Sequence, residues 1–332
     1  MKLLLKALVI GFGSIGKRHV NNLMKYTDVE IVICSKKTDI ENNILKNCKV
    51  FDSIQKSLEE KPDFAIICNI TSHHIDTAIE LAKNGLDLFI EKPLSNSMEQ
   101  IDELNSIVTK NNLITFIGCN LRFHKCIQKI KEILDSHEIG KILSSRSECS
   151  SYLPDWHPNE DYRQSYAAKR ELGGGVVLSC IHEIDYLYWF FGSVRELFSK
   201  NKKISELEID VEDLSTSLIQ FKNDVSTELH LDYFQRPDYR SCKIIGTNGI
   251  IHWDSDSNTV KIFNIETKEW KIKFQDISYT RNDMYVDEIL HFITCVKDKK
   301  NTINDISQGI KTLEIALAIL KSSNNNKVIS LE

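Results

Sequence analysis

No apolar run in this chain approaches the roughly 18 residues that a membrane-spanning helix needs, so no membrane partner is expected. Basic charge is not in excess either. Lys and Arg number 42 against 47 Asp and Glu, a net charge of −5. Nucleic-acid binders usually carry the opposite balance, so no nucleic-acid partner is expected. The nine cysteines, an odd number, include no C-x-x-C pair. Several lie inside apolar runs (Cys34, Cys68, Cys119). They read as small buried hydrophobes in a reducing cytoplasm, and their scatter argues against a metal site. No cleavage site follows the first apolar run, so neither a signal peptide nor export is expected. What is present is a chain of 332 residues, 42% hydrophobic and 27% charged, enough for two globular domains.

The strongest local signal is Gly11-Phe12-Gly13-Ser14-Ile15-Gly16, preceded by an apolar run to Ile10 and followed by a helix-compatible segment from Ile15 to Met24. Gly11 permits a tight turn out of a strand. Gly13 lets a pyrophosphate approach the backbone. Gly16 lets the helix pack close to the strand, and the helix N-terminus then faces the anion. Short apolar runs at Leu4–Ile10, Glu30–Cys34, Phe64–Asn69, Leu86–Glu91 and Ile114–Asn120 alternate with helical segments. One such segment starts near Thr71-Ser72, where a hydroxyl can cap free N–H groups, and stops at Asn84-Gly85. The βαβα series predicts an α/β Rossmann domain with a parallel, doubly wound sheet over residues 1–122.

Beyond Gly140 the pattern changes to period-2 alternation, as in Thr227-Glu228-Leu229-His230-Leu231-Asp232-Tyr233. Residues 123–332 therefore read as an α+β domain with an open, mostly antiparallel sheet. Helices are expected at about 175–192, 284–297 and 305–321, and the final ones can pack back onto the first domain.

The end of the second strand bears on the cofactor. An acidic residue usually stands there to hold the ribose hydroxyls of NAD. Here Ser35-Lys36-Lys37 follows Cys34. A hydroxyl and two ammonium groups suit a 2′-phosphate, so NADP(H) is favoured and NAD(H) is the alternative, with Asp39 then reaching the ribose.

A second motif, Glu91-Lys92-Pro93, follows the run Leu86–Ile90. With it the chain resembles the Gfo/Idh/MocA oxidoreductases, a family named for glucose–fructose oxidoreductase and inositol dehydrogenase. The resemblance extends through Thr71-Ser72-His73-His74, Asn120-Leu121-Arg122-Phe123, Gly173-Gly174-Gly175, His182-Glu183-Ile184-Asp185 and Gly246-Thr247-Asn248-Gly249. It implies hydride transfer between a nicotinamide cofactor and a carbohydrate-like substrate held between two domains. It also implies a homodimer or homotetramer built through the second sheet. Cofactor contacts are expected from Gly11, Phe12, Gly13, Ser14, Ile15, Gly16, Ser35, Lys36, Lys37, Asn69, Thr71, His74, Glu91, Lys92 and Pro93. The family pattern makes the Lys92–Pro93 peptide cis and places Lys92 against substrate and nicotinamide ribose.

Hydride transfer at a carbinol carbon leaves a proton on oxygen, and a group of near-neutral pKa handles it best. His182 matches the family's catalytic histidine, with Lys92 able to stabilise developing negative charge. Many members carry an aspartate shortly before that histidine, but Ser179 is the nearest counterpart here, with Glu183 and Asp185 the nearby carboxylates. That departure keeps two alternatives open: a cofactor-binding protein without redox turnover, or a bound cofactor recycled in epimerisation or hydrolysis. The aromatic, polar stretch Tyr152–Arg163, running on to Lys169 and Arg170, suits a sugar pocket. Arg122, Tyr152, Trp156, Arg163, Lys169 and Asp185 are the expected substrate contacts, the cations holding a carboxylate or phosphate. The wording of this stretch is similar to members from surface-glycan and nonulosonic-acid gene sets, which implies a sugar acid or nucleotide sugar.

Overall fold

The computed structural model describes residues 4–36, 40 and 42–331, and the chain divides into two compact units. The first comprises residues 1–120 and 281–310, the second residues 121–280 and 311–332.

The first unit is built on six parallel strands: β1 (Lys6–Ile10), β2 (Glu30–Cys34), β3 (Lys49–Phe51), β4 (Phe64–Ile67), β5 (Asp87–Glu91) and β6 (Thr115–Gly118). Their spatial order is β3-β2-β1-β4-β5-β6. β1, β4 and β5 are almost wholly buried, as expected of apolar runs covered on both faces. The connecting helices are α1 (Ser14–Tyr26), α2 (Asn42–Asn47), α3 (Ile54–Leu58), α4 (His74–Lys83) and α5 (Ile101–Asn111). The order reverses between β1 and β4, which is where such sheets open a crevice at their carboxyl ends. The three-residue β3 lies outside the expected runs. Residues Thr71–His73 form a 3-10 turn, and α4 begins at His74 with no side-chain cap, so the expected hydroxyl cap at Thr71-Ser72 is not made.

The same unit recruits α9 (Asp283–Asp298). Phe292 on α9 meets Phe64 and Phe89 edge-on, with ring centroids 5.4 and 5.6 Å apart. Beyond it the chain covers the outer edge of β6. Thr302 Oγ1 donates to Thr115 O, and Ile117 N donates to Asn304 O at 2.8 Å. Asn304 Nδ2 donates back to Ile117 O at 2.8 Å. An edge strand is thereby supplied with partners from the far end of the chain.

The second unit holds a nine-stranded sheet. Its strands are β7 (Ile142–Ser150), β8 (Val194–Lys202), β9 (Leu214–Phe221), β10 (Ser226–Asp232), β11 (Tyr239–Gly246), β12 (Gly249–Asp254), β13 (Thr259–Asn264), β14 (Glu269–Gln275) and β15 (Ile329–Ser330). The order is β14-β13-β12-β11-β7-β10-β9-β8-β15, antiparallel throughout except for the β7–β10 pair. Helices α6 (Lys125–Asp135), α7 (Val176–Ser179) and α8 (His182–Phe191) pack on its inner side, and α10 (Ile306–Asn325) supplies the residues from Lys311 onward. The helix expected at 175–192 is thus two helices, interrupted at Cys180-Ile181. The alternation Ser226–Leu231 places Thr227, Leu229 and Leu231 inward and Ser226 and Glu228 outward.

Asn304→Ala removes one of two donors to Ile117 O, which keeps its bond from Cys119 N. A loss of about 0.5–1.5 kcal/mol is expected, read as a lower thermal midpoint with the far-ultraviolet circular dichroism unchanged. An unchanged midpoint would show that this edge contact is dispensable.

Candidate active site

The glycine loop lies at the carboxyl end of β1. Gly11 has φ +91°, and a Cβ there would stand 2.8 Å from Cys68 O, so only glycine fits. A Cβ on Gly16 would fall 2.2 Å from Gly11 O, which is what lets α1 approach β1 so closely. Gly13 differs. Its φ is −79°, and a Cβ there would meet nothing within 4 Å. Neither backbone strain nor packing explains that glycine, whereas a phosphate brought against the backbone does. The N-terminus of α1 agrees, having no side-chain cap and no acidic residue in its first turn. These residues fit a dinucleotide pyrophosphate. Phe12 is buried, and the Lys17 ammonium lies 5.6 Å from its ring centroid.

At the end of β2, Ser35 N donates to Phe51 O at 2.9 Å and Lys36 is exposed. Lys37 and Asp39 lie outside the described residues. After β4, Asn69 Nδ2 donates to Thr77 Oγ1 at 2.8 Å, and Thr71 is buried.

The Lys92–Pro93 peptide after β5 is cis. The His74 ring spans two of these turns, with Nδ1 2.8 Å from Pro93 O and Nε2 3.1 Å from Asn69 O. Burial pulls its pKa down against the pull of the two carbonyls. Both ring nitrogens are taken up by backbone, so His74 acts as a strut between two turns rather than as a cofactor contact. Glu91 is corrected in the same way: it is buried, and its Oε1 accepts from His19 Nε2 at 2.6 Å.

In the second unit His182 opens α8 and is 8% exposed. Ser179, at the end of α7, faces the buried Tyr233, whose hydroxyl pKa is pushed well up by burial. Glu212 closes this corner. Its Oε1 accepts from Val177 N at 3.3 Å, and burial raises its carboxyl. Sequence reading passes over Tyr233 and Glu212, which lie over 30 residues away with no motif to mark them.

Two carboxylates considered for the place of the family aspartate prove to be taken. Asp185 Oδ2 and Oδ1 accept from Arg122 Nε and Nη2, each at 2.8 Å. Thr312 Oγ1 adds a donor to Oδ1, and Trp189 lies 5.5 Å from the guanidinium. Arg122 and Asp185 are 0% and 1% exposed, so this bidentate pair belongs to the interior. Glu183, 0% exposed, is likewise paired with Arg240 Nε at 2.7 Å.

The loop 152–172 is arranged by its own ion pairs. Arg163 Nε donates to Asp161 Oδ1 at 2.8 Å and its Nη1 to Glu208 Oε2 at 3.1 Å, so its charge is already matched and it is not an open anion ligand. Lys169 Nζ donates to the neutral Gln164 Oε1. Trp156 Nε1 donates to Ser151 Oγ, and its ring stands edge-on to Tyr233 at 5.4 Å. The Arg236 guanidinium covers the Tyr152 ring at 3.7 Å and pairs with Asp155. Trp156 is therefore tied to the same tyrosine that faces Ser179.

A glycine cradle at the switch point of a parallel α/β sheet, carried in one chain with an α+β sheet unit, defines a two-domain nicotinamide-dependent oxidoreductase. Residues 5–119 match the NAD-binding Rossmann part of the Gfo/Idh/MocA oxidoreductase family, and residues 131–331 match its C-terminal alpha/beta domain. The chain belongs to that family. It is 27% identical over 345 aligned positions to a myo-inositol 2-dehydrogenase of Thermotoga maritima, covering 98% of each chain. It is 26% identical to the scyllo-inositol 2-dehydrogenase (NAD(+)) of Bacillus subtilis, covering 98% of this chain and 96% of that one. Among solved structures it resembles a myo-inositol 2-dehydrogenase from Lactobacillus plantarum, with TM-score 0.84, 22% identity and coverage of 99% and 100%. A levoglucosan dehydrogenase in complex with NADH gives TM-score 0.88 at 16% identity, with 99% of each chain covered.

Two glycine variants separate packing from ligand contact. Gly16→Ala forces a backbone clash and should cost about 1–3 kcal/mol of stability. Gly13→Ala should leave the thermal midpoint within about 0.5 kcal/mol of the parent, yet weaken NADPH and NADH binding at least tenfold. Equal affinity in Gly13→Ala would show that no phosphate sits against that backbone.

Proposed function

We propose that this protein transfers hydride between NAD(P) and a carbinol or keto carbon of a sugar, sugar acid or nucleotide sugar. The carrying observation is Gly13, where a Cβ would meet nothing of the protein within 4 Å. When bound, the nicotinamide supplies the hydride acceptor or donor. Gly11, Gly13, Gly16 and the uncapped start of α1 hold the pyrophosphate. Asn69, Thr71 and Pro93 line the turns that flank it, and His74 fixes those turns. Lys92 donates to the reacting oxygen and stabilises its negative charge. The His182 imidazole takes the hydroxyl proton in oxidation and returns it in reduction.

Ser179 cannot carry charge at neutral pH, and Asp185 and Glu183 are locked in buried pairs. Proton handling therefore falls to His182 and Lys92. The same substitution is the observation that favours a second reading, a cofactor-binding protein without redox turnover. Tyr152, Trp156 and Lys169 present aromatic and hydrogen-bonding surface to the sugar, and Lys169, whose ammonium donates to the neutral Gln164 amide, is the cation to meet an acidic group. A role in surface-glycan biosynthesis follows from that chemistry. Ser35 and Lys36 favour NADP(H). The name of the Bacillus relative specifies NAD(+) and keeps NAD(H) as the alternative.

The outer face of the second sheet exposes Leu218, Trp270 and Ile272, which supports a homodimer or homotetramer through that face. Among the described residues no helix is long and apolar enough to cross a membrane. All nine cysteines are free and buried, which supports a reducing, cytoplasmic location.

Lys92→Ala should lower turnover about 100- to 1,000-fold and His182→Ala about 100- to 10,000-fold, each with cofactor affinity within a fewfold of wild type. Nicotinamide absorbance over a panel of polyols, sugars and nucleotide sugars reads turnover. Activity that survives both changes would remove the assigned roles. Fluorescence titration with NADPH and NADH tests the cofactor: tighter NADPH binding supports the Ser35–Lys36 reading, and tighter NADH binding overturns it.

A further inference from the structure

Behind the Glu91-Lys92-Pro93 turn lies a buried cluster that the proposed chemistry does not use. It joins three elements of the first unit: His19 on α1, Glu91 at the end of β5 and Glu288 on α9. Their ligand atoms all lie within 4.8 Å of one another. Exposures are 0%, 7% and 0%.

Its hydrogen bonds are unevenly shared. Glu91 Oε1 accepts from His19 Nε2 at 2.6 Å, and Oε2 accepts from Lys92 N at 3.3 Å. Both Glu288 oxygens are buried with no hydrogen-bond partner. The surroundings are largely apolar, with Phe89 and Tyr285 edge-on to the His19 ring at 5.0 and 6.3 Å. The ionisable groups facing Glu288 are Arg18 and His19 from α1, Glu91 from β5, Cys68 from the end of β4 and Tyr285 from its own helix. Arg18 lies over the Tyr285 ring, 4.4 Å from its centroid.

Two carboxylates this close, out of water, do not both ionise. Glu91 has two donors to satisfy its charge and Glu288 has none, so the proton resides on Glu288. We propose that Glu288 is a neutral buried acid that donates to the Glu91 carboxylate and so acts as a positioning residue for the Lys92 turn. This rests on the reading above that the Lys92–Pro93 turn flanks the bound cofactor. Glu288 stands within 4.8 Å of Glu91, and Glu91 in turn accepts from the Lys92 N–H. Burial first, and the Glu91 charge second, push the Glu288 carboxyl well above its ordinary 4.5, with Arg18 pulling the other way. A transition-metal site would use the same residue types. The 2.6 Å between His19 Nε2 and Glu91 Oε1 is a hydrogen-bond separation, shorter than that between tetrahedral zinc ligands, each about 2.0–2.2 Å from the metal.

The test compares the full-length wild type with Glu288→Gln, which keeps a donor but cannot ionise, and Glu288→Leu, which keeps bulk only. At pH 7 infrared spectra of the wild type should show the carbonyl stretch of a protonated carboxyl group, lost in both variants. Thermal midpoints give a second reading. Folded Glu288 keeps its proton while unfolded Glu288 ionises above about pH 4.5, so this group lowers wild-type stability as pH rises through that value. Glu288→Gln lacks that dependence, and its midpoint relative to wild type should climb as pH increases. NADPH affinity reads the positioning role: Glu288→Leu should weaken it about tenfold and Glu288→Gln should restore it to within about twofold.

A missing carboxyl band, or one that survives in Glu288→Gln, overturns the assignment. So does stoichiometric zinc in the purified protein that disappears in Glu288→Gln. Equal NADPH affinity in all three proteins removes the positioning role while the neutral acid stands. Wild-type protein that shows the band but binds neither NADPH nor NADH would instead defeat the cofactor reading.

Discussion

The steric approach of two backbone turns governs the dinucleotide side of this protein. β1 and β4 run side by side, and the turns leaving them come so close that a Cβ on Gly11 would touch Cys68 O at 2.8 Å. The same closeness seats α1 where a Cβ on Gly16 would stand only 2.2 Å from Gly11 O. With α1 seated in this way, its free N–H groups face the crevice and His19 is carried inward to Glu91. The glycine loop, the E-K-P turn and the buried cluster behind it are thus consequences of one packing condition. Relaxing it would move all three.

Some buried acids are matched by a cation, as with Arg122–Asp185 and Arg240–Glu183, Asp213 is held by backbone and hydroxyl donors, and Glu288 has no hydrogen-bond partner. Breaking a matched buried pair leaves a lone charge in the interior, at a cost of about 3–5 kcal/mol. The pairs therefore shape the ground around His182 without entering its chemistry. Ser179, Tyr233 and Glu212 form a buried corner beside His182 that, among the described residues, carries no such cation.

Much of this architecture was legible in the sequence because it depends on local signals. The G-x-G-x-x-G turn, the continuous apolar strands and the period-2 alternation each have one physical meaning, and each appears in the structure. The short β3 was not legible, since three residues leave no period to detect. Arg122 and Arg163 suggested anion binding, and Asp185 a substrate contact, because their charge is visible in sequence, whereas their partners are not. Asp185 finds Arg122 from 63 residues away, and Arg163 finds Glu208 from 45. Glu288 carries no motif at all, and only the return of α9 to the first sheet brings it to Glu91. Glu91 and His74 were expected to contact the cofactor, and their side chains instead bond to His19 and to the backbone of the neighbouring turns, partners that no local motif announces.

The most direct measurement is isotope transfer. Wild-type protein is incubated with NADPH or NADH deuterated at the nicotinamide, together with keto sugars and nucleotide keto sugars, and the sugar fraction is read by mass spectrometry. The account predicts one deuterium on a carbinol carbon of a product. Saturable cofactor binding with no deuterium in any sugar would contradict it and leave a binding protein without redox turnover.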